Sequence, residues 1–195
     1  MTAKPGERKD QILQTLAQML ESPAGEKVTT AALAKQLGVS EAALYRHFRG
    51  KAEMFEGLIE FIEQTLFALI YRISGDEKSG VRQLEAILGV MLGFAQKNRG
   101  MTRVLIGDAL VTEDERLQAR INQLHDRLEA ALKQALRFGV SQKEIAAEVD
   151  VAAHANLLMS FVTGLWHQFA KSGFKRDPTE MWARQWRLLM EGVIA

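Results

Sequence analysis

The apolar positions of this chain recur at intervals of three and four along most of its length. No stretch alternates with the two-residue period of a half-buried strand. The pattern predicts an all-α fold. Over residues 7 to 21, Ile12, Leu13, Leu16 and Leu20 share one face of a first helix, which Ser22-Pro23-Ala24-Gly25 ends. Between 29 and 51 the pattern shortens to two brief helices around a tight turn. Thr30 is placed to cap the first, because its hydroxyl accepts a free N–H of the opening turn. Leu33, Ala34 and Leu37 form that helix's inner face, Gly38 supplies the left-handed residue that stops it, and Val39 turns back into the core. Ser40 caps the second helix, which buries Leu44 and Phe48 and leaves Glu41, Ala42, Tyr45, Arg46 and His47 mainly outside. The small Ala34 lets two helices cross closely. This is the helix-turn-helix pattern, in which the second helix lies in the DNA major groove; on spacing alone the same residues also fit an ordinary αα-hairpin inside a helical bundle.

Downstream, residues 51 to 74 predict a long helix with Met54, Phe55, Leu58, Ile62, Leu66, Leu69 and Ile73 inward, broken by Gly75-Asp76. A helix over 80 to 98 carries Leu84, Ile87, Leu88, Met91 and Leu92, and a short one follows from 101 to about 107. Thr112 and Glu115 read as a capping box that opens a long helix to about Phe138. In it Leu117, Ile121, Leu124, Leu128, Ala131 and Ala135 form a short coiled-coil-like seam. Ser141 with Glu144 reads as a second capping box for a short helix. An apolar helix follows from Val151 to Ser172, with Leu158, Phe161, Leu165 and Phe169 inward. Asp177-Pro178-Thr179-Glu180 predicts another helix start, followed by a stripe of Trp182, Trp186, Leu189 and Val193.

The last two helices carry more large apolar side chains than one bundle face needs. They, and the seam, predict pairing with a second copy of the chain; the other reading of the two helices is burial within the single chain. A two-fold dimer would set two recognition helices about one DNA turn apart on a palindrome. The expected division is a helix-turn-helix domain over 1–51 and a helical bundle over 52–195.

Charge supports this division. The formal net charge is only +1, but residues 1 to 51 carry +3 and the remainder −2. A basic end on a near-neutral body suits a DNA-reading module. Cysteine is absent, which excludes disulfides and any thiolate nucleophile or metal ligand. The first apolar stretch, Ile12 to Leu20, is broken by Gln14, Thr15 and Gln18, unlike a signal peptide. No run of about 20 apolar residues occurs, so no membrane span and a cytoplasmic location are expected. His47, His125, His154 and His167 lack the spacing of a metal site. Gly89 and Gly93 suggest close helix packing, since no phosphate-loop pattern surrounds them. No catalytic residue, metal or cofactor is expected, and the chain reads as a non-enzyme.

The run Leu44-Tyr45-Arg46-His47-Phe48, followed by Lys51, resembles the signature of TetR-type regulators. The resemblance implies that Tyr45, His47 and Lys51 hold phosphates beside the recognition helix. Further blocks narrow it. Residues 39 to 48, Leu-Ile-Glu-Phe-Ile-Glu at 58 to 63, Leu-Gly-Phe at 92 to 94, Lys-Asn-Arg-Gly-Met-Thr-Arg-Val-Leu at 97 to 105 and Arg-Leu-Gln-Ala-Arg-Ile-Asn-Gln-Leu at 116 to 124 resemble the nucleoid occlusion family. The resemblance runs along most of the chain and is weakest at residues 1 to 8 and beyond about 139.

What it implies is a TetR-like homodimer, associated with the nucleoid, that binds palindromic sites on double-stranded DNA, several dimers per site being possible. Bound to DNA, it antagonises polymerisation of the division GTPase FtsZ. The DNA-binding set then comprises Thr29, Thr30, Ser40, Glu41, Ala42, Ala43, Tyr45, Arg46, His47 and Lys51. The family's groove for the FtsZ C-terminal tail, between its fourth and fifth helices, maps to Phe61, Leu69, Val90, Gly93, Lys97 and Asn98. Leu69 departs from the pattern, which leads one to expect an arginine there. The other reading of the residues is a TetR-type repressor whose apolar bundle holds a small-molecule pocket.

Overall fold

The computed structural model describes residues 5–22, 28–111 and 113–195. They form helices α1 (Pro5–Met19), α2 (Thr30–Leu37), α3 (Glu41–Leu44), α4 (Lys51–Asp76), α5 (Gly80–Lys97), α6 (Arg99–Leu105), α7 (Glu115–Ser141), α8 (Val151–Lys171) and α9 (Trp182–Leu189), with a 3-10 turn over Asp108–Leu110. The all-α expectation holds. The chain divides into two compact units. One comprises residues up to Ile62 together with Asn98–Ile121, the other Glu63–Lys97 with Asn122–Ala195.

In the first unit, α1 packs on α2 and α6. Most of the predicted inner positions are buried: Ile12, Leu16 and Leu20 on α1, Leu33 and Ala34 on α2, Leu44 and Phe48 at α3, and Met54, Phe55 and Leu58 on α4, while Leu13 and Leu37 are half-buried. Glycines set how closely these helices approach. A Cβ on Gly100 would lie 1.9 Å from the carbonyl oxygen of Ala17, so α6 crosses α1 backbone to backbone. Arg103 of α6 donates to Asp108 and, through Nη1, to the carbonyls of Leu20 and Ser22 just past the end of α1. A cation near helix-terminal carbonyls is favourable because their partial charges are negative. The predicted cap Thr112 lies outside the described residues. At the start of α7, Asp114 accepts from the Arg116 N–H at 3.0 Å and from its guanidinium, and this arginine lowers the Asp114 pKa to about 2.

In the second unit, α5 packs on α8, and Trp166 of α8 donates from Nε1 to the Met91 carbonyl at 3.2 Å. Gln83 ties α5 back to the end of α4 by donating to the Ser74 and Glu77 carbonyls. The glycines that permit close approach here are Gly80 and Gly139: a Cβ on Gly80 would lie 2.2 Å from the Gly139 nitrogen. Gly89 and Gly93 do not have the packing role read from the sequence. Gly89 would bring a Cβ only to 3.8 Å from the Trp182 indole nitrogen, and Gly93 faces open space.

Three further expectations change. Ser141 and Glu144 do not form a capping box. Ser141 closes α7 by donating to the Phe138 carbonyl, while the Glu144 carboxylate accepts from Ser79 Oγ and the Val81 N–H. Glu144 therefore caps α5, a partner 63 residues away. Asp177 does not start a helix at Pro178. Its carboxylate accepts from the Thr179 N–H and hydroxyl and from the Gln96 amide, and regular helix begins at Trp182. The seam of α7 is also not left open. Leu117, Ile121, Leu124, Leu128 and Ala135 are buried within the single chain, along with Leu132 and Leu136, and of the predicted seam Ala131 stays half-buried. The spacing that serves a two-chain seam serves an intrachain core equally well. Large apolar side chains that stay exposed include Leu157 on α8 and Leu188 on α9, at 53% and 70%.

Candidate nucleic-acid interface

The helix-turn-helix is built almost wholly from local signals. Thr29, in extended conformation, caps α2 by accepting the Ala32 N–H at 3.1 Å. The cap is thus one residue earlier than the sequence suggests, and Thr30 becomes the first helical residue. Two adjacent threonines compete for one position, and the one in extended backbone takes it. Gly38 ends the helix in the left-handed region at φ 67°. Its N–H donates to the Lys35 carbonyl, and the Val39 N–H to that of Ala34, a Schellman pair that satisfies carbonyls α2 would otherwise orphan. Ser40 then accepts from the Ala43 N–H at 3.3 Å and starts α3. Regular helix stops at Leu44, but Phe48 N–H still donates to the Leu44 carbonyl, so the turn carries on to bury Phe48.

This frame sorts the DNA-binding candidates by accessibility. Thr29, Ser40, Glu41, Ala42, Tyr45 and Arg46 are exposed, while Thr30, Ala43 and His47 are half-buried. Thr29 and Ser40 use oxygen lone pairs on backbone N–H groups, which leaves each hydroxyl hydrogen to give away. Thr30 differs, since it donates to Glu41 Oε2 at 2.7 Å and accepts a long bond from the Tyr45 hydroxyl at 3.4 Å. Lys51 differs again. Its Nζ meets Glu113 Oε1 at 2.5 Å and lies 5.5 Å from the centre of the Phe55 ring. Only 19% of the lysine side chain and 11% of the glutamate are exposed. Glu113 had no signal in the sequence, because its partner is 62 residues away.

The FtsZ-tail candidates fall in both compact units, and each is at least partly accessible. In the first, Phe61 is 46% exposed and Asn98 is half-buried. In the second, Leu69 and Val90 are half-buried and Lys97 is exposed. Val90, Gly93 and Lys97 follow one another at three and four residues on α5, so they share a face. On that face Gly93 leaves the backbone bare.

Two family models match the chain. Bacterial regulatory proteins of the tetR family cover residues 12–58, and a SlmA-like, tetracyclin repressor-like C-terminal domain covers 78–193. The nucleoid occlusion factor SlmA of Marinomonas sp. (strain MWYL1) is 49% identical over all of this chain and 98% of its own length. The chain belongs to the SlmA family of nucleoid occlusion factors. The SlmA of Alteromonas mediterranea is 51% identical over 94% of both chains. Solved structures with the same fold include PfmR of Thermus thermophilus, a TetR family transcriptional regulator. It has a TM-score of 0.77 at 24% identity over 93% of this chain and 97% of that one. The fatty acid degradation regulator FadR of Bacillus halodurans has a TM-score of 0.79 at 16% identity over 98% of both. These two establish the fold, while the SlmA relatives establish the family.

Proposed function

We propose that this member of the SlmA family works as a homodimer that binds palindromic duplex DNA through α2 and α3. Held on the chromosome, it antagonises FtsZ assembly. Full-length identity to nucleoid occlusion factors carries the reading, and two local arrangements support it. Around α3, hydroxyl and basic groups of Thr29, Ser40, Tyr45 and Arg46 are exposed where phosphate and base contacts are made in a helix-turn-helix. On α5, a bare backbone at Gly93 lies one turn before an exposed cation at Lys97. An extended peptide with acidic groups suits such a strip, with Leu69 and Val90 as further contacts in the same unit; the family resemblance adds Phe61 and Asn98 to the set. Leu69, lacking the charge expected there, contributes apolar contact only, which leaves the charge pairing to Lys97.

The test separates two activities. Binding of an FtsZ C-terminal tail peptide is followed by fluorescence anisotropy with duplex DNA present, alongside DNA affinity. Lys97→Asp should abolish tail binding and leave DNA affinity near wild type, because attraction becomes repulsion far in sequence from residues 29–51. Equal tail binding by wild type and Lys97→Asp removes the α5 strip from the site. Tail binding by neither sinks the FtsZ reading.

A further inference from the structure

We infer that Glu41 gives the DNA interface its preference for cytosine, by accepting the cytosine N4 amine in the major groove and penalising duplexes that lack it. The inference rests on the reading of α2 and α3 as the DNA-binding element. In residues 28 to 48, Glu41 is the single acidic side chain. It is exposed, and it stands in the first turn of α3. A bare carboxylate facing a polyanion is unfavourable. This one is not bare in the free protein. Thr30 gives its only hydroxyl hydrogen to Glu41 Oε2 at 2.7 Å, and Tyr45 gives its own to Thr30 Oγ1 at 3.4 Å. Two hydroxyls suited to donate to phosphates are thus directed, one through the other, to Glu41.

DNA reverses this arrangement. If Thr30 and Tyr45 turn their hydrogens to phosphate oxygens, the carboxylate loses its donor beside a row of negative charges. A base edge must replace the donor, and the major groove offers two exocyclic amines for the purpose, cytosine N4 and adenine N6. Adenine sets its amine beside the N7 acceptor, whose lone pair repels the second carboxylate oxygen. Guanine O6 and N7, and thymine O4, are acceptors and repel outright. Cytosine presents its amine beside a C5–H on its own edge, and the one acceptor next to that amine is the O6 of the paired guanine, on the far side. The specificity comes as much from rejection as from the new bond, since guanine and thymine leave Glu41 unpaired and adenine sets N7 against its second oxygen.

The experiment selects duplexes from a random pool with wild type, Glu41→Ala, Glu41→Gln and Thr30→Val, and then titrates each protein against the wild-type consensus and its single base-pair variants. Circular dichroism confirms that each variant is folded. Wild type should favour one C·G position per half-site by about tenfold. Glu41→Ala should lose that preference while keeping the others. Glu41→Gln should move it to A·T, because an amide pairs with adenine N6 and N7 together. Thr30→Val should keep the cytosine preference, since it removes a donor and not the base contact. Retention of every base preference by Glu41→Ala overturns the inference. Loss of the same cytosine preference by Thr30→Val also overturns it, by showing that Glu41 acts only through Thr30. A wild-type protein that selects no consensus overturns the DNA reading itself, and this inference with it.

Discussion

The Lys51–Glu113 pair allows a prediction with a definite sign. Lys51 belongs to the proposed phosphate-binding set, yet its ammonium is held by Glu113 at 2.5 Å and both side chains are largely shielded. For Lys51 to reach a phosphate, DNA must displace the carboxylate. A pair with part of each group still wet is worth about 1 kcal/mol, the upper end of the range for accessible ion pairs. About 1 kcal/mol corresponds to roughly fivefold in an equilibrium constant. Glu113→Gln keeps the shape and removes the competing charge, so DNA affinity should rise about fivefold per protomer. Lys51→Ala should weaken binding alike on all duplexes, and reduce the slope of log affinity against log salt by about 0.9 per lost phosphate contact. Anisotropy titrations of a labelled duplex between about 50 and 200 mM salt read both quantities. If Glu113→Gln leaves affinity unchanged and Lys51→Ala leaves the slope unchanged, Lys51 stays with Glu113 on DNA. It then serves the fold of the first unit and not the interface.

Three further outcomes follow from the packing. Gly100→Ala places a Cβ 1.9 Å from the Ala17 carbonyl oxygen, a backbone neighbour that cannot rotate away. It should cost about 3 kcal/mol and lower the thermal midpoint by about 6–12 °C, measured by circular dichroism. The protein should sediment as a dimer without DNA, whereas Leu157→Glu with Leu188→Glu should give a species near 21.8 kDa. Wild type already running at that mass would rule out the dimer. Burial lowers the pKa of His154, whose Nε2 lies buried without a hydrogen-bond partner among the described residues. Below its unfolded value of about 6.5 the unfolded chain binds this proton more readily, so stability should fall as pH drops toward the folded value. Urea midpoints at pH 7.5 and 5.5 should differ less in His154→Gln, and an equal difference would refute the assignment.

The sequence by itself determined whatever is decided within one turn of helix. The all-α class, the Gly38 turn, the Ser40 cap and the inward Leu44 and Phe48 depend on neighbours three to five residues away, and hydrophobic period and cap chemistry record such neighbours directly. The family was legible for a different reason, since whole blocks such as residues 97–105 are far more specific than any periodicity. What the tertiary structure decided is which of several equivalent local choices finds a distant partner. Thr29 and Thr30 are chemically interchangeable as caps until the backbone entering α2 selects one. The Glu144 carboxylate could close a local box with Ser141, but the open end of α5 offers it a hydroxyl and an N–H together. Leu117 to Ala135 carry a spacing that fits a second chain or the same one, and intrachain helices bury it first. Gly80, Gly139 and Gly100 look like ordinary helical glycines until another backbone or side chain comes within 3 Å of where a Cβ would stand. Glu113 is one surface-type acid among many until the fold brings it to Lys51. A side chain's spacing records the face it occupies, but only the packed chain supplies the group that meets it there.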